Sequence, residues 1–235
     1  MPLLNRAVEM QAEISTWRRD LHMNPEILFD TERTSAFVAD KLKAFGCDEV
    51  ATGIGRTGVV GLIHGRHGKG PVIGLRADMD ALPMTEETGL PYASKVPGRA
   101  HACGHDGHTA MLLGAAQLLT QRRDFDGTVR FIFQPAEEHG RGAAAMLADG
   151  LLERFPMDEV YGAHNIPGMP AGHFATRVGG LMASEDNFVI RITGRGGHAA
   201  RPHMAVDPLV IGAEVVLALQ TLVSRNVDPR HPAVV

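Results

Sequence analysis

The segment His101-Ala102-Cys103-Gly104-His105-Asp106-Gly107-His108 packs three histidines, a cysteine and an aspartate into eight residues. Sulfur, imidazole nitrogen and carboxylate oxygen together suit a borderline transition-metal ion such as zinc or manganese. In an extended segment, residues two apart face the same way, which would turn Cys103 and His105 toward one point. A helix beginning near Asp106 would put its positive end behind them and favour the Cys103 thiolate, the form that binds metal. Two other chemistries fit the same eight residues. One is a polar turn that caps a helix around a buried, inert cysteine. The other is a cysteine hydrolase with Cys103 as nucleophile and His105 or His108 as its base.

Further clusters fall in comparable places. Gln134-Pro135-Ala136-Glu137-Glu138-His139 follows an apolar run, and Gly162-Ala163-His164-Asn165-Ile166-Pro167 follows another. Adjacent side chains diverge, so of two consecutive glutamates one can bind a metal while the other takes a proton from an activated water. Alone, Glu137-Glu138 would read as a solvated acidic loop and His164 as structural; their recurrence after predicted strands gives them weight. Asp78 and Asp80, in Arg76-Ala77-Asp78-Met79-Asp80-Ala81-Leu82-Pro83, would be ligands or, by preference, groups that orient a metal-bound imidazole. Gly53-Ile54-Gly55-Arg56-Thr57-Gly58 matches the dinucleotide fingerprint, but a strand follows it where a phosphate-facing helix is required. Cys47 reads as a small buried residue, and His22, His64, His67 and His173 as structural or solvent-facing.

These clusters need a scaffold. Apolar spacing predicts helices over 7–21, ended by Asn24-Pro25, and over 34–45, ended by Gly46. Strands are predicted over 58–64, 71–76, 128–133 and 159–163, with helices over 107–121, capped by Asp106, and 143–152. Such alternation argues for an α/β fold around a mixed sheet flanked by helices. The character changes at Ser184, which divides the chain into 1–183 and 184–235. The second part opens with an alternating strand over 187–193. It continues in a helix over 206–224, apolar on almost every side and so in need of cover, and ends in the entry to another strand at 231–235.

Of 235 residues, 44% are hydrophobic and 21% charged, and the net charge is −4. That balance gives no basic surface for nucleic acid. Two cysteines make no disulfide framework, and Arg6, Glu9 and Glu13 interrupt the N-terminus before a signal-peptide core could form. The apolar stretch from Pro208 carries Glu214 and Gln220 and is short for a bilayer. The expectation is a cytoplasmic protein with no membrane partner.

Five motifs occur in order: Arg18-Arg19-Asp20-Leu21-His22-Met23-Asn24-Pro25-Glu26, the Asp78–Asp80 segment, the octapeptide, Gln134-Pro135-Ala136-Glu137-Glu138, and Gly194-Arg195-Gly196-Gly197-His198-Ala199-Ala200-Arg201-Pro202-His203. Together they resemble the M20 metallopeptidase family in its amidohydrolase branch, which holds N-acyl-amino-acid amidohydrolases such as hippurate hydrolase. The resemblance implies a zinc-peptidase-like catalytic domain followed by the start of a smaller α+β lid or dimerisation domain. It implies a hydrolase with two divalent ions, Mn²⁺ or Zn²⁺, that cleaves the amide of a small N-acyl amino acid. Cys103, His105, Glu138 and His164 would be metal ligands, with Cys103 bridging. Glu137 would be the general base, and His198 would polarise the scissile carbonyl. It further implies a homodimer formed through the lid. Members of that family continue beyond the lid to a last ligand histidine that has no match here. The chain is therefore expected to be truncated, and a catalytically incompetent fragment that binds metal or a partner is the alternative.

Overall fold

The computed structural model describes residues 2–182 and 186–235. It divides into two compact units, 1–169 and 170–235. The boundary expected between 183 and 184 lies outside the described residues.

The first unit opens with α1 (Pro2–Glu9) and α2 (Gln11–Met23), then α3 (Glu32–Phe45) and the strands β1 (Glu49–Ile54), β2 (Gly58–His64) and β3 (Val72–Asp78). After a long loop come α4 (His105–Arg122), β4 (Thr128–Gln134), α5 (Gly142–Ala148), α6 (Leu151–Arg154) and β5 (Glu159–Gly162). The strands order as β1-β2-β4-β3-β5. β1 and β2 form an antiparallel hairpin, β2 runs antiparallel to β4, and β3 lies parallel to both β4 and β5. Asp78 is in register with Gln134, and Arg76 with Gly162. The C-terminal ends of β3, β4 and β5 therefore open along one edge of the sheet, the place where parallel sheets hold their sites.

Strand alternation sorts the core. Val59, Ile63, Phe131 and Phe133 face Trp17, Val38, Leu42, Leu113 and Ala116 from the helices on one side of the sheet. Val60 and Ile132 face Met146, Leu151 and Phe155 on the other. Every residue of β2 except His64 is buried, as a central strand covered on both faces must be.

Several expectations shift. The first helix begins earlier and bends at the buried Met10. The helix expected over 143–152 is broken by Gly150, whose φ of +81° ends one helix and starts the next. β1 was not foreseen: Glu-Val-Ala-Thr-Gly-Ile carries no clean alternation, and its place comes from pairing with β2. The glycine-rich run Gly53–Gly58 is the turn of that hairpin, with Gly53, Gly55 and Arg56 all at positive φ.

In the second unit, α7 (Pro208–Thr221) starts at Asp207, whose carboxylate accepts from the Leu209 N–H at 2.9 Å, and a π-turn continues it to Asn226. Residues 208–226 are long and apolar enough to cross a membrane by length and composition alone. The strand expected over 187–193 is not formed, nor is one at 231–235. Among the described residues no ladder runs beside 187–193, and Phe188, Val189 and Ile190 are exposed, Val189 at 92%.

Candidate metal centre and active site

Four short segments bring the chemistry together. β3 ends in Asp78, and Asp80 follows two residues later; both are fully buried. The Asp78 carboxylate accepts from Arg76 at 2.8 Å and from His108 Nδ1 at 2.7 Å. Burial alone would raise its pKa, but the His108 bond and the Arg76, His105 and His108 charges hold it near 2.

Asp80 works at both ends. Its carbonyl accepts from His105 Nδ1 at 2.8 Å. Its carboxylate accepts the backbone N–H groups of Glu137 at 2.9 Å and Glu138 at 3.2 Å. Those two N–H groups follow Ala136, which sits in the left-handed region at φ +49° with its own N–H on the Leu28 carbonyl. One buried carboxylate thus fixes the backbone of both glutamates and the neighbouring carbonyl orients His105.

Since Nδ1 of His105 donates to Asp80, its Nε2 is left to offer a lone pair. Nε2 lies 3.6 Å from Asp78, 3.6 Å from Glu137 and 3.7 Å from Glu138. Both His105 Nε2 and Glu138 Oε1 are buried without a hydrogen-bond partner among the described residues. His164 has the same arrangement: Nδ1 lies 2.7 Å from the Asn165 carbonyl, and Nε2 is 3.4 Å from Cys103 Sγ. Three ligand-type groups form, each with its atoms within 4.8 Å: Cys103, His105 and His164; His105, Glu137 and Glu138; Asp78, His105 and His108. His105 belongs to all three. Ligand atoms of N, O and S type converging on one histidine, a nitrogen and an oxygen among them buried and unpaired, fit divalent ions.

The electrostatics agree with a cation-seeking site. Burial and the Glu138 and Glu137 carboxylates push the Cys103 thiol up to about 12. The expectation that the α4 N-terminus favours a thiolate there leaves out these effects: without a cation, burial first and the carboxylates second keep the thiol protonated. Burial alone would lower His105, yet the Asp80 bond and the Asp78, Asp80 and Glu138 charges lift it to about 9. Burial raises Glu138, with Glu137 and Asp80 adding to it against His105.

Cys103 and His105 meet by a different route from strand alternation. Gly104, at φ +114°, is the N-cap of α4, and His105 is already the first helical residue. A Cβ on Gly104 would lie 2.2 Å from Asn165 Oδ1. Asp106 is not the cap; it lies buried in the first turn. His198 belongs to the second unit, where it is exposed and its Nδ1 accepts from the Ala200 N–H at 3.1 Å.

Two histidines that sequence reasoning gave no part in a metal site also belong here. His108 bridges Asp78 and Asn165, with Nε2 2.6 Å from Asn165 Oδ1. His22, read as structural or solvent-facing, is buried between Asp106 and Glu86. Its place in the Arg18–Glu26 motif was the available signal.

Residues 74–233 match the model of peptidase family M20/M25/M40. The chain is 48% identical over 235 residues to hippurate hydrolase of Campylobacter jejuni, covering all of this chain and 61% of that one. It is 48% identical over 218 residues to N-acetyl-L-cysteine deacetylase of Bacillus subtilis, covering 92% of this chain and 51% of that one. The chain thus spans between half and about three fifths of these relatives. Among solved structures, the Bacillus subtilis YXEP protein, described as a dinuclear metal-binding peptidase from the M20 family, aligns with a TM-score of 0.65 at 46% identity. That alignment covers 69% of this chain and 45% of the other. On the family match and these relatives, the chain belongs to peptidase family M20/M25/M40.

Proposed function

We propose that the encoded protein hydrolyses the amide bond of N-acyl amino acids of the hippurate type. The observation that carries this is the convergence of His105 Nε2 and Glu138 Oε1, buried and unpaired, with Cys103 before α4 and His164 after β5. In this reading Cys103, His105, Glu138 and His164 hold two divalent ions, Mn²⁺ or Zn²⁺. Bound there, the ions would acidify a water and polarise the substrate carbonyl. Glu137, more exposed than Glu138, takes the proton of the attacking water and passes it to the leaving amine. Its neighbour stays aimed inward because Asp80 holds both backbone N–H groups. His198 donates to the developing oxyanion. The protein is cytoplasmic, takes no nucleic acid, and pairs with a second copy through its 184–235 part, where the apolar helix α7 needs cover.

A panel of N-acyl amino acids, hippurate and N-acetylcysteine among them, tests the reading. Free amino acid is measured after reconstitution with Mn²⁺ or Zn²⁺ and again after chelation. Metal-dependent release is expected. A second reading is metal binding without turnover. Bound metal with no release from any substrate would favour it. A cysteine hydrolase is disfavoured by a thiol pushed up to about 12. It would survive chelation and die on thiol alkylation.

A further inference from the structure

The Arg18–Glu26 motif takes no part in the chemistry proposed above, yet its Leu21, His22 and Pro25 are buried and its Arg18 reaches Asp106. Trp17 and Leu21 seat α2 in the core, which turns Arg18 and His22, four residues apart, toward α4. Arg18 Nε donates to Asp106 Oδ2 at 3.0 Å, and His22 Nδ1 donates to the same oxygen at 2.8 Å. Asp106 directly follows His105, and its side chain is fully buried. On the far side of the ring, His22 Nε2 meets Glu86 Oε1 at 3.2 Å.

Glu86 lies in the loop 83–99. Its carboxylate also accepts from the Ser94 N–H at 2.6 Å and from the Thr88 hydroxyl. Tyr92, in the same loop, stands edge-on to His22 at 5.6 Å and beneath the Arg19 guanidinium at 4.9 Å. The Lys95 N–H reaches the Met23 carbonyl at 2.8 Å. Leu82 and Ala100 close the base of the loop with reciprocal 3.0 Å bonds. The loop thus leaves from Asp80 and returns to Cys103, with both ends in the candidate centre.

We propose that His22 is a positioning residue with two separable arms. Its Nδ1 arm, through Asp106, fixes the first turn of α4 that carries His105. Its Nε2 arm, through Glu86, latches the loop 83–99. The proposal rests on reading His105 as a metal ligand.

Both ring nitrogens face carboxylate oxygens, Asp106 on one side and Glu86 on the other, so the ring spans the two acids. Without it, Asp106 and Glu86 would be left facing one another in a buried place with Arg18 as the remaining counter-charge. The helix turn and the loop would then relax apart.

Asparagine and glutamine separate the arms, since the Asn amide nitrogen stands near the position of Nδ1 and that of Gln near Nε2. Two quantities are read in the encoded protein: Mn²⁺ affinity, by competition with a chelating dye, and the rate of tryptic cleavage after the exposed Lys95. His22→Asn keeps Mn²⁺ affinity within about threefold of wild type, while cleavage after Lys95 accelerates about tenfold. His22→Gln does the reverse, weakening Mn²⁺ about tenfold with the loop still protected. Glu86→Ala reproduces the His22→Asn pattern from the other side and serves if that variant does not fold. Equal behaviour of Asn and Gln variants in both readouts overturns the proposal. A wild-type protein that binds no Mn²⁺ refutes the metal reading instead, and the cleavage arm still reports on the latch.

Discussion

At the scale of single residues, the two candidate ligand histidines are each prepared by a neighbour that takes up one ring nitrogen. Asp80 takes Nδ1 of His105, the Asn165 carbonyl takes Nδ1 of His164, and in each ring Nε2 is left toward the centre. Glu137, the candidate base, has the more open carboxylate of the Glu137–Glu138 pair. Glu137→Gln keeps the backbone bond to Asp80 and removes the basic oxygen. Metal stoichiometry by atomic spectroscopy is expected to stay at the wild-type value while kcat falls by about 10²–10⁴-fold. Retained turnover would remove Glu137 from the role of base. Titration adds a second prediction. With its pKa lifted to about 9 from an ordinary value near 6.5, His105 stabilises the metal-free fold fully below about pH 6.5. That contribution is lost as pH rises through about 9. An ion at Nε2 replaces the proton and binds more tightly as protons become scarcer. The gain in Tm on adding Mn²⁺ should therefore widen from pH 6.5 to 9. A constant gain across that range would show that His105 releases no proton to the ion.

At the scale of elements, the edge formed by the ends of β3, β4 and β5 collects residues as far apart in sequence as Asp78 and His164. Much of this was legible in the chain. β2 and β4 alternate or run apolar between turn residues, and the clusters that follow strands end up at one edge. The residue types were legible too, because few side chains combine sulfur, imidazole and carboxylate so densely. What did not show was the backbone: the left-handed Gly104 and Ala136, and the two N–H groups of Glu137 and Glu138 gathered by Asp80. These depend on contacts between segments tens of residues apart, which local spacing does not encode. The site's electrostatics were hidden for the same reason. Cys103 looked activated from the helix behind it, and only the fold buries the thiol and brings Glu138 and Glu137 beside it, which together reverse the sign. Gly104→Ala tests the backbone device directly. It forces a Cβ into a left-handed residue and against Asn165, at a cost of about 1–3 kcal/mol. Thermal unfolding should move down accordingly, and Mn²⁺ affinity should fall about tenfold or more as Cys103 and His105 lose their common aim. Leu42→Ala, a buried core residue of α3 under Gly61, should cost about 2–5 kcal/mol. Its Mn²⁺ affinity should stay unchanged in the fraction that remains folded, which would separate stability from site geometry.

At the scale of the whole molecule, the two units are built on different terms. The first encloses its own core on both faces of the sheet. The second carries α7, whose Leu209 is 80% exposed and Leu217 69% exposed, with Val210 and Val216 also open. Each such side chain gains roughly 1.5–3 kcal/mol on leaving water, so a helix of this kind is built to be covered. The proposed cover is the same helix region of a second copy, since a two-fold pairing satisfies both helices with one contact. Light scattering without detergent should then give twice the encoded mass. Leu217→Glu places a carboxylate in that contact and should raise the dimer dissociation constant by roughly ten- to a hundredfold. The Tm of the first unit and its Mn²⁺ affinity should not change, because no ligand candidate is drawn from α7. A protein that stays monomeric at every accessible concentration would exclude the second copy. One that enters solution only with detergent would point instead to a bilayer around residues 208–226, whose length and composition would permit it. The dimer is expected because Glu214 lies mid-helix, where a bilayer core would strongly disfavour a charge and the edge of a protein interface would leave it water.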